Sequence, residues 1–437
     1  MSVEPHATVA ILTLGCKLNQ ADSQALAREL LAHGCRVIQR PAPADAYVIN
    51  SCSVTHVADR KSRHLVRLAR RLSPNASVVL AGCYAESSGA ELAERMGADL
   101  VVRNGDKASL AQELLRRLGD GRLRPTPLPA GDGLRTRAFV KIQEGCNEVC
   151  SFCIVPRTRG RERSVPVELV VSEVVAREAE AVQEVVLTGT QLGNYGRDLG
   201  VSAGPAPLLA FLLAQTTVPR IRLSSLQAQD IDESLLCLWA DSRLCRHFHL
   251  PLQSGSDRVL TAMRRRYSAR RFLDDVSLIR ERVPDVAITT DVMVGFPDET
   301  EADFQETYRL CQDVGFAAIH VFPYSRRPGT AAALMRDQVP AAIKRHRLER
   351  MLALARASAD AFRARFQGQT MAVLWEEART QRGARTVWQG LTDNYLRVYT
   401  DAENLVADPP RQDLTNLLLP TFLGRAVAGG LWGELED

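Results

Sequence analysis

At 437 residues, 46% of them hydrophobic and with a formal net charge of +4, the chain has material for two or three cores, which excludes a disordered or fibrous protein. The charge is also too small for the footprint of a dedicated nucleic-acid protein. No run of 18 apolar residues occurs, and residues 1–6 lack the basic and apolar regions of a signal peptide, so a soluble cytoplasmic protein with no membrane association is expected. In that reducing compartment the ten cysteines call for metal binding or burial rather than disulfides.

The first 120 residues alternate apolar runs, read as strands at 9–14, 47–50, 78–81 and 100–102, with amphipathic helices such as 23–32 and 58–72. That alternation predicts an α/β domain with an open parallel sheet over 1–120. The stretch GRLRPTPLPAGDGLR, 121–135, is rich in glycine and proline and is expected to be a linker. A second alternation fills 136–366, with strands expected at 139–142, 185–187, 221–224, 247–250, 287–294 and 318–322. Six such repeats predict a full or partial barrel of parallel strands. After a long Ala/Arg/Leu helix at 341–366 the pattern changes. Short β-rich pieces such as 371–376, 395–399 and 424–428 predict a small β-barrel over 367–437.

Directly after the first expected barrel strand come Cys146, Cys150 and Cys153, written GCNEVCSFC. Structural zinc usually takes four ligands in C-x2-C pairs, and no second pair follows. Ferredoxin clusters use other spacings and a fourth cysteine. Three thiolates on a short loop can instead hold three irons of a 4Fe–4S cube and leave the fourth iron open. S-adenosylmethionine (SAM) can chelate that iron and be cleaved reductively to a 5′-deoxyadenosyl radical. A structural or zinc site is the alternative.

Three further cysteines, Cys16, Cys52 and Cys83, each stand one or two residues past an apolar strand and follow Gly15, Ser51 and Gly82. In a parallel sheet the carboxyl ends of strands share one edge, so the three are expected to converge on a second cluster. Small residues before them would let backbone and cluster approach. The alternative is ordinary burial, which is the expectation for Cys35, Cys237, Cys245 and Cys311.

The order GCKLNQADS, NSCSVTHVADRKSR, GCYAE and VKIQEGCNEVCSFCIVPRTRGRERS resembles the methylthiotransferase family of radical SAM enzymes along nearly the whole chain. Lys17, Asn19 and Gln20, with VTHVADRKSR and GCYAE, are most similar to the MtaB type, which acts on threonylcarbamoyladenosine in tRNA. The catalytic segment is similar to the MiaB type too. The resemblance implies an auxiliary 4Fe–4S cluster on Cys16, Cys52 and Cys83, a SAM-binding 4Fe–4S cluster on Cys146, Cys150 and Cys153, and a carboxyl-terminal TRAM domain. In the family's scheme one SAM methylates a sulfur associated with the auxiliary cluster, and a second supplies the radical that functionalises C2–H of the adenine at position 37. The partners implied are tRNA and a one-electron reductant such as flavodoxin; the sulfur donor is not specified. Relatives act on isopentenyladenosine in tRNA or on an aspartate of a ribosomal protein, and a rival class is a non-catalytic, zinc-binding RNA protein.

By the same resemblance Phe152 lies near the adenine of SAM, and Thr188 with Gly189 near its amino group; packing and a tight turn are the plainer readings. Gln253 and Gly295 also end expected strands on the active face. Candidate RNA contacts are Arg60, Arg63 and Arg67, which with Arg70 and Arg71 share one helix face, although a solvated face explains that stripe equally. Arg157 and Arg159 flank the second triad and suit either phosphate or the N6 substituent. Residues 367–437 hold six arginines, no lysine and ten acids, an acidic departure from an RNA-gripping TRAM domain.

Overall fold

The computed structural model describes residues 7–88, 95–119, 136–201, 203–380, 386–401 and 413–435; the expected linker at 121–135 lies outside them. The first sheet is fully parallel, in the order β2-β1-β3-β4-β5. Its strands are β1 (Thr8–Thr13), β2 (Arg36–Ile38), β3 (Ala46–Ser51), β4 (Ser77–Gly82) and β5 (Leu100–Val102). Four of the five lie where strands were expected. β2 is additional, an edge strand whose run of three residues is too short to leave a pattern.

Both faces of this sheet are apolar, as parallel sheets covered on two sides require. Val9, Ile11, Val48 and Val79 pack under α1 (Lys17–Ala32) and the helix Leu110–Leu118, while Ala10, Leu12, Tyr47 and Leu80 pack under α2 (His56–Leu72). α2 starts where the Thr55 hydroxyl accepts the Ala58 N–H at 3.1 Å, satisfying one of the free donors of its first turn. Strand order reverses between β1 and β3, which opens a crevice at their carboxyl ends.

The next strands are β6 (Arg137–Lys141), β7 (Gln143–Glu144), β8 (Arg163–Ser164), β9 (Glu184–Thr188), β10 (Arg220–Leu223), β11 (His247–His249), β12 (Ala287–Val294) and β13 (Ala318–Pro323). All six expected barrel strands are among them. They form two parallel sheets, β10-β9-β6 and β11-β12-β13, joined by a single bridge from Ile221 to Leu244. The result is a partial barrel. Val140, Val185, Leu187, Ile221, Phe248 and Ile288 point outward into the largest core. The alternate residues face the lumen and are mostly polar, among them Arg137, Glu184, Arg222, His247, His249 and Asp291.

The free edge of β6 is covered by α1. The Gln24 side-chain amide donates to the Arg137 carbonyl (3.1 Å) and accepts the Phe139 N–H (2.8 Å), standing where a neighbouring strand would. Ala21 packs on Phe139 and Val186, and Asp22 accepts Lys107 and Lys141, both at 2.7 Å. The helix that begins the first sheet thus closes the side of the barrel.

Helix Ala341–Ala364 leads to a closed barrel in the order β14-β15-β16-β18-β17. Its strands are β14 (Thr370–Thr380), β15 (Thr386–Thr392), β16 (Arg397–Asp401), β17 (Leu418–Val427) and β18 (Gly430–Leu435). β15 and β18 were not expected from the sequence, and the piece at 395–399 straddles a turn and the start of β16. Val373, Trp375, Trp388, Val398 and Leu431 fill its core, together with Phe362, Phe366 and Ala287 of β12. Arg222 and Arg220 of β10 donate to carbonyls of Asp393 (2.8 Å) and Ala372 (2.7 Å). Two of the acids that make this segment negative are spent the same way: Glu376 pairs with Arg137 and Asp393 with Arg246, each at 2.6 Å. No helix of the described residues is long and apolar enough to cross a membrane.

Candidate functional site

Cys16, Cys52 and Cys83 follow β1, β3 and β4 and so stand on one edge of the first sheet, with Cys83 opening α3 (Cys83–Ser88). Gly15 has φ +94°, and a Cβ there would lie 2.8 Å from Cys52 Sγ. At Gly15 the close approach is to the side chain of Cys52, itself a member of the triad. Ser51 has a separate task, since its hydroxyl accepts the N–H groups of Tyr84 and Ala85 at the start of α3. Burial pushes the Cys52 thiol up to about 11, and its neighbours Cys83 and Cys16 act in the same direction. Asn104 Nδ2 faces Cys83 Sγ at 3.8 Å while donating to the Thr158 carbonyl at 2.6 Å.

The second triad occupies the loop between β7 and the short helix Val155–Arg159. Gly145, at φ +77°, enters that loop so tightly that a Cβ would sit 1.9 Å from the Arg161 carbonyl. The Cys146 N–H donates to the Gly160 carbonyl (3.1 Å), the Glu148 N–H to Cys146 Sγ (3.4 Å), and Arg265 Nη1 to Cys150 Sγ (3.5 Å). Burial raises the Cys146 thiol to about 12 and the Cys153 thiol to about 11. All ten cysteines are free.

Arg159 lies between the triads, and this corrects the expectation that it contacts RNA. Its guanidinium donates to Glu144 Oε1 and Asn19 Oδ1, both at 2.5 Å, with Nη2 4.0 Å from Cys16 Sγ. The side chain is 2% exposed. A guanidinium this deeply buried, and paired with the buried Glu144, is not presented to a phosphate at the surface. Arg157, two residues earlier, is exposed. On α2, Arg60 and Arg67 are exposed, whereas Arg63 donates to the Tyr84 hydroxyl (3.1 Å). Arg70 belongs to the fold, donating to carbonyls of Gly97 and Ala76.

Around the second triad, Phe152 packs against the cluster of Met293, Phe296 and Tyr324. Thr188 ends β9 and is buried. A Cβ on Gly189 would meet Leu192 Cδ2 at 2.6 Å, so the turn is packed closely. Gln253 holds φ +64°, rare for a residue with a side chain, and its buried Oε1 has no hydrogen-bond partner. The Gly295 N–H donates to Glu299 Oε2 at 2.5 Å.

Several site-forming residues were not singled out as such in the sequence. Arg327, after β13, donates to Asp59 (2.8 Å) and Ser53 (2.9 Å) and so ties the Cys52 loop to the barrel. In the lumen, His249 Nε2 and His320 Nδ1 each face the Asp291 carboxylate at 3.3 Å. Their ligand atoms lie within 4.8 Å of one another, a donor set able to take a divalent ion, and the two hydrogen bonds satisfy it without one. Lys17 also enters the lumen, its Nζ donating to the Ser224 carbonyl at 3.3 Å. The available signal for Lys17 was adjacency, since it directly follows Cys16, whereas Arg327, His249, Asp291 and His320 stand far from either triad in sequence. A cavity of about 400 Å³, lined by Asp22, Lys107, Lys141 and Arg163 among others, opens at the seam beside α1. None of the six cysteines lines it, so it is not where their chemistry lies.

Residues 8–103 match the Uncharacterized protein family UPF0004, and residues 140–311 match the Radical SAM superfamily. The threonylcarbamoyladenosine tRNA methylthiotransferase MtaB of Bacillus subtilis (strain 168) is 37% identical over 410 residues, 90% of each chain. That of Aquifex aeolicus (strain VF5) is 38% identical, over 89% of this chain and 96% of the relative. A tRNA-2-methylthio-N(6)-dimethylallyladenosine synthase from Syntrophobacter fumaroxidans is 38% identical over 78% of each. Among solved structures, the radical S-adenosylmethionine methyltransferase TsrM from Kitasatospora setae, with cobalamin and a 4Fe–4S cluster bound, superposes with a TM-score of 0.53. The match has 16% identity over 75% of this chain and 77% of that one, and bears on the fold alone. With both matched segments in tandem and relatives aligned along nearly its full length, this chain belongs to the radical SAM tRNA methylthiotransferase family.

Proposed function

We propose that this protein methylthiolates C2 of N6-threonylcarbamoyladenosine at position 37 of tRNA, with one 4Fe–4S cluster on Cys16, Cys52 and Cys83 and a second, which binds SAM, on Cys146, Cys150 and Cys153. The observation that carries the reading is the pair of triads, each at the carboxyl end of parallel strands and both reached by the region around Arg159. In this reading residues 1–120 carry the auxiliary cluster, 136–366 the SAM chemistry, and 367–437 the TRAM barrel.

The residues present fit such groups. Each site offers three free thiols, and iron–sulfur clusters are held by thiolates with N–H donors to sulfur. Those donors exist here: Arg265 and the Glu148 N–H at the second triad, Arg159 and Asn104 at the first. Two of the four are cations, which suits the negative charge of a thiolate-ligated cluster. When bound, the SAM-site cluster would supply one-electron reduction and radical C–H chemistry, and the auxiliary cluster would hold the sulfur that is methylated. The chain's own contribution is placement. Gly145 sets the turn of the Cys146 loop, the loops at Thr188, Gln253 and Gly295 wall the adjoining end of the barrel, and α1 closes its side so that reactive groups are kept from water. Arg60, Arg67 and Arg157 are the exposed cations we assign to tRNA phosphates, and a reductant such as flavodoxin supplies the electron.

The decisive experiment is mass spectrometry of tRNA nucleosides with and without the gene, backed by iron analysis. Reconstituted protein is expected to hold about eight irons. Replacing Cys146, Cys150 and Cys153 by Ala removes about half of them and abolishes SAM cleavage. Replacing Cys16, Cys52 and Cys83 leaves 5′-deoxyadenosine formation but no product. Full iron retention in the first variant refutes the assignment. A second reading, dimethylallyladenosine as substrate, has the 38% identical Syntrophobacter relative in its favour, and the same nucleoside analysis separates the two.

A further inference from the structure

Lys17 follows Cys16 directly and begins α1, and its side chain crosses into the lumen of the central barrel to Ser224 at the end of β10. Its partner there is a carbonyl at 3.3 Å. Among the described residues no carboxylate lies within ion-pair distance of it, unlike Lys107 and Lys141, which both sit 2.7 Å from Asp22. Two buried polar groups nearby are also unused. The Ser224 hydroxyl has no hydrogen-bond partner, and neither has Nδ1 of His247, whose ring stacks on Tyr395 at 4.4 Å.

The charge balance around this spot favours an anion. Four cations gather at the lumen floor: Lys17, Arg137, Arg220 and Arg222. Two carboxylates pair with them directly, Glu184 with Arg222 at 2.7 Å and Glu376 with Arg137 at 2.6 Å, and a third, Asp393, paired with Arg246 at 2.6 Å, acts on Arg220 and Arg222, so that with Arg246 counted the cations still exceed the carboxylates by two. Arg220 is held by the carbonyls of Leu391 and Ala372. An exposed lysine left without a partner is ordinary, but an ammonium in the wall of the lumen is costly to leave unpaired when a ligand expels water.

We propose that Lys17 and the Ser224 hydroxyl form a carboxylate-binding subsite that takes the amino-acid carboxylate of the substrate's N6 substituent. This rests on the threonylcarbamoyladenosine reading above and replaces Arg159, already held by Glu144 and Asn19, as the residue that reads that group. A hydrocarbon substituent leaves both donors unpaired, so the subsite also rejects dimethylallyladenosine. SAM carries the same chemical group. The position of Lys17 beside Cys16, rather than on the Cys146 loop, assigns it to the tRNA substrate.

The test uses holoenzyme with iron content matched between variants, and anticodon stem-loop RNA bearing threonylcarbamoyladenosine, its carboxyl methyl ester, or dimethylallyladenosine. Wild-type enzyme is expected to prefer the acid over the ester by about 10- to 100-fold in kcat/KM, the scale of one charged hydrogen-bonded contact. Lys17→Met should erase that preference, Lys17→Arg should restore most of it, and Ser224→Ala should weaken it. Binding of the acid and ester RNAs, followed by fluorescence anisotropy, gives the same comparison without turnover, and serves if Lys17→Met loads iron poorly. An acid preference undiminished in Lys17→Met overturns the subsite. A raised KM for SAM with that preference intact assigns Lys17 to the SAM carboxylate and overturns it too. Wild-type turnover of dimethylallyladenosine alone refutes the substrate reading itself, and the subsite with it.

Discussion

Arg159→Met separates a structural role for this residue from an RNA-contacting one. The side chain is 2% exposed and its partner Glu144 11% exposed, so the pair is buried, and removing one partner of such a pair costs about 3–5 kcal/mol. Lys141 remains 3.1 Å from Glu144, which places the loss toward the lower figure, while Asn19 Oδ1 forfeits the guanidinium donor. At about 2–4 °C per kcal/mol for a cooperative unit of 150–250 residues, a loss near 3 kcal/mol lowers the midpoint of thermal unfolding by roughly 6–12 °C. Iron–sulfur proteins often unfold irreversibly, so both proteins are scanned at one rate. The slope of log K against log salt for tRNA binding should not change in Arg159→Met. It should fall by about 0.7–0.9 in Arg157→Ala, the contribution of one phosphate contact. An Arg159→Met protein with an unaltered midpoint and a flattened salt slope would refute the reasoning.

Asp22 joins α1 to the barrel. Burial acts to raise its pKa, but Lys107, Lys141 and Arg159 outweigh that and hold it at about 2, below its ordinary 3.8. A depressed carboxylate stabilises fully above its unfolded value and loses that contribution only as pH falls toward 2, so the stability gap between wild type and Asp22→Asn, about 2 kcal/mol, should stay constant from pH 7 to pH 5. A gap that closes within that interval contradicts the assignment. Arg265→Met removes a cation and an N–H donor from Cys150 Sγ. On a background lacking the first triad, an EPR-monitored redox titration should show the remaining cluster shifted to more negative potential, and no shift would mean that this contact does not tune it.

By itself the sequence determined the two cysteine triads, the six barrel strands and the parallel first sheet. These are local signals: apolar runs of strand length, and cysteines placed one or two residues beyond them, where parallel strands bring their ends to one edge. What only the tertiary structure decided is what the charged residues beside those cysteines do. Arg157 and Arg159 are two positions apart in one short helix, yet one is exposed and the other is held by Glu144, 15 residues away, and Asn19, 140 residues away. Glu376 and Asp393 looked like a poor RNA surface until docking paired them with Arg137 and Arg246. Lys17 looked like a family marker until α1 carried it across to Ser224, 207 residues on. A charge is read along the chain, but its partner is set by which elements pack together, and no local pattern records that choice.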